Sequence, residues 1–200
     1  MDAEGAEPPL ARTVAQAAAG DRAAYAALVR QFQRPLFAFL GRMGLRQAEA
    51  EELAQDTFIR AWQHLPRYDA AQGAFSTWLF TIARRLALNA LDRAEHQRLQ
   101  GGLDLSADDG AAAPACDAPG PAQALQARQD GAALQAALRR LPPHDRSVLA
   151  LAYVHELSLA DVARIEDCTP AAAKARLHRA RERLRQALAD ASHLPAREQA

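Results

Sequence analysis

From Thr169 to Leu188 the chain sets Lys174, Arg176, Arg179, Arg181, Arg183 and Arg185 against the single acid Glu182. Guanidinium forks match guanine edges and phosphate oxygens, so this segment has the chemistry to bind nucleic acid. Ala171, Ala172 and Ala173 come just before and would let a helix sit deep in a major groove. On charge alone, a solvated Arg-rich face accounts for the stretch equally well. Lys174 is the only lysine and no Gly-rich phosphate loop precedes it, so Schiff-base and P-loop chemistry have no other candidate. His64, His96, His144, His155, His178 and His193 lack a nearby Cys nucleophile or paired carboxylates, and no enzyme is expected. Cys116 and Cys168 stand far apart without His at ligand spacing, so no disulfide framework, metal site or cofactor is signalled.

The elements that would position the basic residues are short and capped. Ser158 reads as the N-cap of a helix carrying Leu159, Val162, Ala163 and Ile165; Thr169 reads as the next cap, with Pro170 at the first helical position. A long helix then runs to about Ala189, giving the short helix, tight turn and basic helix of a helix-turn-helix. Upstream, Leu134, Leu138 and Leu141 form one stripe and Val148, Leu149, Leu151, Ala152 and Tyr153 another, parted by Pro142 and Pro143. The sequence places Cys168 in the turn as a small buried apolar residue, with redox sensing as the alternative.

The first half has its own helical pattern. Tyr25, Leu28, Val29, Phe32, Leu36, Phe39 and Leu40 form a buried stripe over Ala23 to Met43, which Pro35 is expected to kink or divide. Gln47 to Leu65 buries Ala50, Leu53, Ala54, Phe58, Ala61, Trp62 and Leu65, and leaves Glu51, Glu52, Gln55, Asp56 and Arg60 largely on a second face, either solvated or docking a partner. After a turn near Asp69 to Gly73, a helix runs from about Phe75, with Ser76 or Thr77 near its start, through Trp78, Leu79, Ile82, Leu86 and Leu91. Phe58, Trp62, Tyr68, Phe75, Trp78 and Phe80 cluster beside Arg67, Arg84 and Arg85, a composition suited to stacking unpaired bases. The alternative is that most of them fill the core; Phe58, Trp62 and Phe75 are assigned there, with Tyr68 and Trp78 open to either role.

Between the halves, Gly101 to Pro121 is rich in Gly, Pro, Ala and Asp, with Asp104, Asp108, Asp109 and nearby Asp117 and no cation; it reads as a flexible acidic linker. The net charge is zero, with 24 cations against 24 anions, so the segregation of charge rather than its sum points to a partner. Alanine supplies half of the apolar residues, which favours helix. The longest apolar run, Val148 to Val154, is too short to span a bilayer, and the acidic N-terminus has no apolar signal core, so a cytoplasmic protein without membrane insertion is expected. The fold class is all-α: a helical bundle and a helix-turn-helix domain joined by the linker.

Taken in order, these segments resemble an extracytoplasmic-function sigma factor of the sigma-70 family. AEAEELAQDTFIRAW (Ala48 to Trp62) resembles that family's polymerase-binding helix, and GAFSTWLFTIARRLALNALDR (Gly73 to Arg93) its promoter-melting segment. LPPHDRSVLALAYVHELSLADVARIEDCTPAAAKARLHRARERL (Leu141 to Leu184) is similar to its reader of the upstream promoter element. The resemblance implies an N-terminal extension over 1–20, region 2 over 21–98, a linker over 99–124, region 4 over 125–192 and a tail over 193–200.

It implies also that Glu52, Gln55, Asp56 and Arg60 contact the clamp helices of the largest subunit of core RNA polymerase, with the flap a further contact. Trp78, Arg84, Arg85 and Asn89 would engage the minus-ten element as it opens. Thr169, Lys174, Ala175, Arg176, His178, Arg179 and Arg181 would serve the minus-thirty-five element. An anti-sigma factor is an expected partner. The chain departs from the family pattern at Arg85, where Asn is common, and at Ala171, Ala172 and Ala175, which replace Gly, Thr and Ser. Glu166 stands where a large apolar residue is usual, and weaker packing of the second domain or weaker DNA affinity is expected from these departures together. Two rival readings remain at this stage: a dimeric operator-binding regulator that works without polymerase, and a helical adaptor whose basic helix binds protein.

Overall fold

A computed structural model describes residues 9–99, 131–153 and 155–192. Linker acids Asp104, Asp108, Asp109 and Asp117, together with Cys116 and the tail, lie outside the described residues. Helix α1 covers Pro9–Ala18, α2 Arg22–Arg42, α3 Gln47–His64 and α4 Phe75–Leu99; residues 131–139 form α5, followed by α6 Pro143–Tyr153, α7 Leu159–Ile165 and α8 Pro170–Ser192. Two single 3₁₀ turns, Leu65–Arg67 and Ala70–Gln72, connect α3 to α4. No helix among the described residues is long and apolar enough to cross a membrane.

The stripe expected in the first half becomes one continuous helix, α2, through Pro35. The residue four before Pro35 is Gln31, which is exposed, so water can take the carbonyl that the proline cannot serve. Asp21 caps α2 by accepting from the Ala23 and Ala24 N–H groups. Pro35 also marks where α2 changes neighbours. Before it, Ala24, Leu28 and Phe32 join Val14 and Ala17 of α1, Ala61, Leu65, Phe75 and Leu79 in one apolar cluster. After it, Leu36, Phe39, Leu40 and Met43 enter a second. The stretch read as a mere extension thus supplies a packed helix, α1.

The second cluster crosses between the halves of the chain. Phe39, Phe80, Ala83 and Ala87 share it with Leu138, Leu141, Val148, Leu151, Val162, Ile165, Ala173 and Ala180. Each fully buried Leu, Ile or Phe contributes about 1.5–3 kcal/mol. The two helical domains therefore lie packed together, with α4 against α7 and α2 against α6. Thr77 is buried in the first turn of α4, and its hydroxyl donates to Asp161 of α7 over 3.2 Å.

Candidate nucleic-acid interface

The helix-turn-helix is built by local chemistry. Ser158 caps α7 by accepting from the Asp161 N–H, while its hydroxyl donates to the Asp161 carboxylate. α7 ends with the Cys168 N–H on the Ala163 carbonyl and the Asp167 N–H on the Arg164 carbonyl. This is the paired closure of a helix whose next residue is left-handed; Asp167 takes that place at φ 52°. Thr169 then caps α8 by accepting from the Ala172 N–H, and Pro170 opens the helix as expected.

Helix α8 sorts its residues by face. Ala173, Ala180 and Ala187 are buried and Leu177 and Leu184 half-buried, the repeat that seats the helix on α6 and α7. Lys174, Ala175, His178, Arg179 and Arg181 are exposed. At 100° per residue, Ala171, Lys174, Ala175 and His178 lie along one outer strip, with Arg179 and Arg181 on its two flanks. The Arg181 guanidinium stands 5.0 Å over the ring of Tyr153, which holds it beside the strip rather than in it.

Arg176 and Arg183, two turns apart, turn aside. Arg176 donates to Glu166 and Arg183 to Asp145, and both carboxylates are buried. Arg185 pairs with Glu182 on the surface. Of six cations counted in the sequence, then, three serve ion pairs, and Lys174, Arg179 and Arg181 carry the outward positive charge. Arg176 was expected among the DNA-facing residues; here it is half-buried on the domain's own acid.

The residues expected at the minus-ten element also divide. Arg85 and Asn89 are exposed on α4. Trp78 is half-buried in an aromatic trio, its ring 5.4 Å from Tyr68 and 5.8 Å from Phe75. The Tyr68 hydroxyl donates to the Gly73 carbonyl, and burial first, then Asp69, pushes its pKa up. Arg84 is only 6% exposed, its guanidinium bound to both oxygens of Glu166 at 2.8 and 2.9 Å. Phe80, among the aromatics suited to base stacking, is instead core, 5.4 Å from Phe39 and 4.4 Å from His155. Glu166 fits its position because its carboxylate is fully paired, receiving Ser147 as well as Arg84 and Arg176. Its polarity leaves no unpaired charge in the core.

On α3, Glu52, Gln55 and Arg60 are exposed and Asp56 half-exposed. Ile59 is 54% exposed and falls at the centre of the strip formed by Glu52, Gln55 and Asp56. A β-branched apolar residue on a polar face was a signal available in the sequence and passed over. Among the described residues no group of His, Cys, Asp or Glu could hold a metal ion.

A capped short helix, a tight turn and a basic helix whose outer strip is free define a helix-turn-helix DNA-binding protein. Residues 28–97 match Sigma-70 region 2, and residues 131–184 match Sigma-70, region 4. The chain is 30% identical over 189 residues to the extracytoplasmic-function (ECF) RNA polymerase sigma factor SigW of Bacillus subtilis, covering 92% of this chain and 99% of that one. It is 32% identical over 196 residues to the RNA polymerase sigma factor CnrH of Cupriavidus metallidurans, covering 96% and 98%. The solved sigma factor RpoE of Bartonella quintana, in complex with the anti-sigma factor NepR, superposes with a TM-score of 0.60 at 25% identity, over 82% of this chain and 96% of that one. The chain belongs to the sigma-70 family and, within it, to the extracytoplasmic-function sigma factors. It is an RNA polymerase sigma factor, an initiation subunit and not an enzyme, with region 2 for the minus-ten element and region 4 for the minus-thirty-five element.

Proposed function

We propose that the chain divides its work among three faces. The α3 strip of Glu52, Gln55, Asp56 and Arg60 around Ile59 docks on the clamp helices of core polymerase: an apolar centre ringed by polar groups suits a protein partner. The outer strip of α8, with Thr169 at its cap, reads the minus-thirty-five element through Lys174, Ala175, His178 and Arg179, and Arg181 meets the backbone. Trp78, Arg85 and Asn89 engage the minus-ten element, and Arg84 joins them once it leaves Glu166. Region boundaries near 20, 98, 124 and 192 fit this division. The protein works in the cytoplasm beside the polymerase, and an anti-sigma factor, the kind of partner held by the Bartonella protein, is proposed as its antagonist.

The observation that carries the reading is the sorting of α8: an Ala and Leu face holds the helix down while Lys174, His178 and Arg179 stand outward. Arg and Lys would fix position on duplex DNA and base contacts would select sequence. The test is gel filtration of the purified chain with core polymerase, followed by promoter opening with the mixture. Comigration and opening that core alone does not give are expected. A chain that stays apart from core and binds duplex DNA alone would be an operator binder instead.

A further inference from the structure

Among the described residues Arg181 is the one arginine of α8 that a neighbour holds without neutralising it. Arg176, Arg183 and Arg185 donate to Glu166, Asp145 and Glu182, and each such bond takes up N–H groups and cancels charge. Arg181 has a different neighbour. Its guanidinium carbon stands 5.0 Å from the centre of the Tyr153 ring, within the range of a cation–π contact. The ring attracts the cation through its quadrupole and carries no negative charge, so the five N–H donors and the full charge of Arg181 stay available to an anion.

Both partners stand on fixed backbone. Arg181 follows Ala180, which is completely buried, and Arg183 two residues on is tied to Asp145. Asp145 and Tyr153 both belong to α6, about 12 Å apart along the helix at 1.5 Å per residue. Helix α6 therefore grips α8 at two points, by charge at one and by a ring at the other. Beyond Tyr153 the chain is closed by the His155 N–H on the Ala150 carbonyl and the Leu157 N–H on the Leu151 carbonyl, and the His155 imidazole is packed on Phe80. Tyr153 itself is 53% exposed, so the core contributes little to its place, and Arg181 is the contact that gives the ring a role.

We propose that Tyr153 is a positioning residue for promoter binding: it presets the Arg181 guanidinium on the flank of the α8 strip for a phosphate of the DNA backbone. This rests on the reading of α8 as the helix that enters the minus-thirty-five element. A free arginine gives up rotamer freedom when it binds. Arg181 has given it up already, and its phosphate contact is the stronger for that. Arg179, on the opposite flank, has no ring over it among the described residues, so one flank is preset and the other adapts. A backbone contact adds affinity without selecting sequence, so the effect of Tyr153 is the same on every promoter.

The test is a double-mutant cycle in the holoenzyme, with Y153L, R181A and the two combined, beside Y153F and Y153Q. Promoter affinity is measured over a salt series on promoters that differ in the minus-thirty-five element, with melting temperature and core affinity as checks on folding. R181A should make the slope of log affinity against log salt shallower by about 1. Y153L should weaken binding about twofold to fivefold on every promoter, have no further effect once Arg181 is gone, and be rescued by Y153F. Y153L with wild-type affinity beside a weakened R181A overturns the positioning role. So does an equal loss from Y153L with and without Arg181, which would have Tyr153 act by itself. Y153F as weak as Y153L overturns it too, since the hydroxyl would then be the contact. If Y153L melts early, Y153Q decides by the same criteria. An R181A protein with wild-type affinity and slope takes Arg181 off the backbone and overturns the proposal with it, while loss of promoter binding in Lys174→Ala with Arg179→Ala would still uphold α8 as the reading helix.

Discussion

The imidazole of His155 lies with its ring centre 4.4 Å from that of Phe80, a contact between a turn of region 4 and the core of region 2. Phe39 closes on the same imidazole at 6.1 Å, and its Nε2 is buried without a hydrogen-bond partner among the described residues. Burial chiefly, then the Arg42 charge, pulls its pKa from 6.5 down to about 4. The native state therefore holds His155 neutral while an opened or unfolded chain protonates it near pH 6.5. Fewer protons on the native side mean that this contribution is complete above about pH 7 and is lost as pH falls toward 4. At pH 5.5 the loss is about 1.4 kcal/mol by that linkage. Urea midpoints at pH 7.5 and 5.5 should show it in the wild type, and His155→Leu should reduce the pH dependence by that amount. An equal dependence in both proteins would mean that other groups carry it.

Ile59 is exposed among polar neighbours, so its apolar surface contributes little to the fold. Ile59→Glu should leave the melting temperature almost unchanged, within about 0.5 kcal/mol of stability. Affinity for core polymerase should fall about tenfold or more, since a charge would sit at the centre of the docking face. Gln55→Ala with Asp56→Ala should weaken the same association less steeply, because both lie nearer the edge. Binding by surface immobilisation of core measures all three, and an unchanged Ile59→Glu would show that α3 docks by another face.

How much of this was legible in the sequence follows the range of the interactions. Ser158, Thr169 and Pro170 were readable as caps and a first helical residue because capping is settled within three or four positions. The apolar face of α3 was readable from its period, and so was the turn before α4. Helix α1 was missed because Leu10, Val14 and Ala17 make a thin stripe in an Ala-rich stretch. The joining of the domains was illegible, since Arg84 and Glu166 are 82 residues apart and nothing local marks either as the other's partner. Phe80 looked like its aromatic neighbours, and its burial comes from Phe39 of its own domain together with His155 of the other.

Helix α7 has seven residues, so its cap is a large share of what holds it. Ser158→Ala removes the acceptor for the Asp161 N–H and should cost about 1 kcal/mol. For a chain of this size that is a fall of about 2–4 °C in melting temperature. Thr169→Ala should act alike on α8. Asp167 stands at φ 52°, where glycine is the better fit, so Asp167→Gly should move the melting temperature the other way. Calorimetry of the four proteins tests the set, and a Ser158→Ala protein as stable as wild type would mean that packing alone fixes α7.

Arg183 and Lys174 share α8 but should fail in different ways. Arg183 neutralises Asp145, which is buried, so Arg183→Ala leaves a carboxylate without its partner and should lower stability by about 1–3 kcal/mol. Its effect on DNA should follow only from that loss and disappear at low temperature. Lys174 and Arg179 make no ion pair with other described residues and are exposed, so Lys174→Ala with Arg179→Ala should leave the melting temperature and core binding intact. Promoter binding by the holoenzyme should fall at every temperature, and the slope of log affinity against log salt should become shallower by about 2 if both side chains meet phosphates. A slope unchanged at equal core affinity would place both residues off the DNA and leave the outer strip of α8 to some other partner.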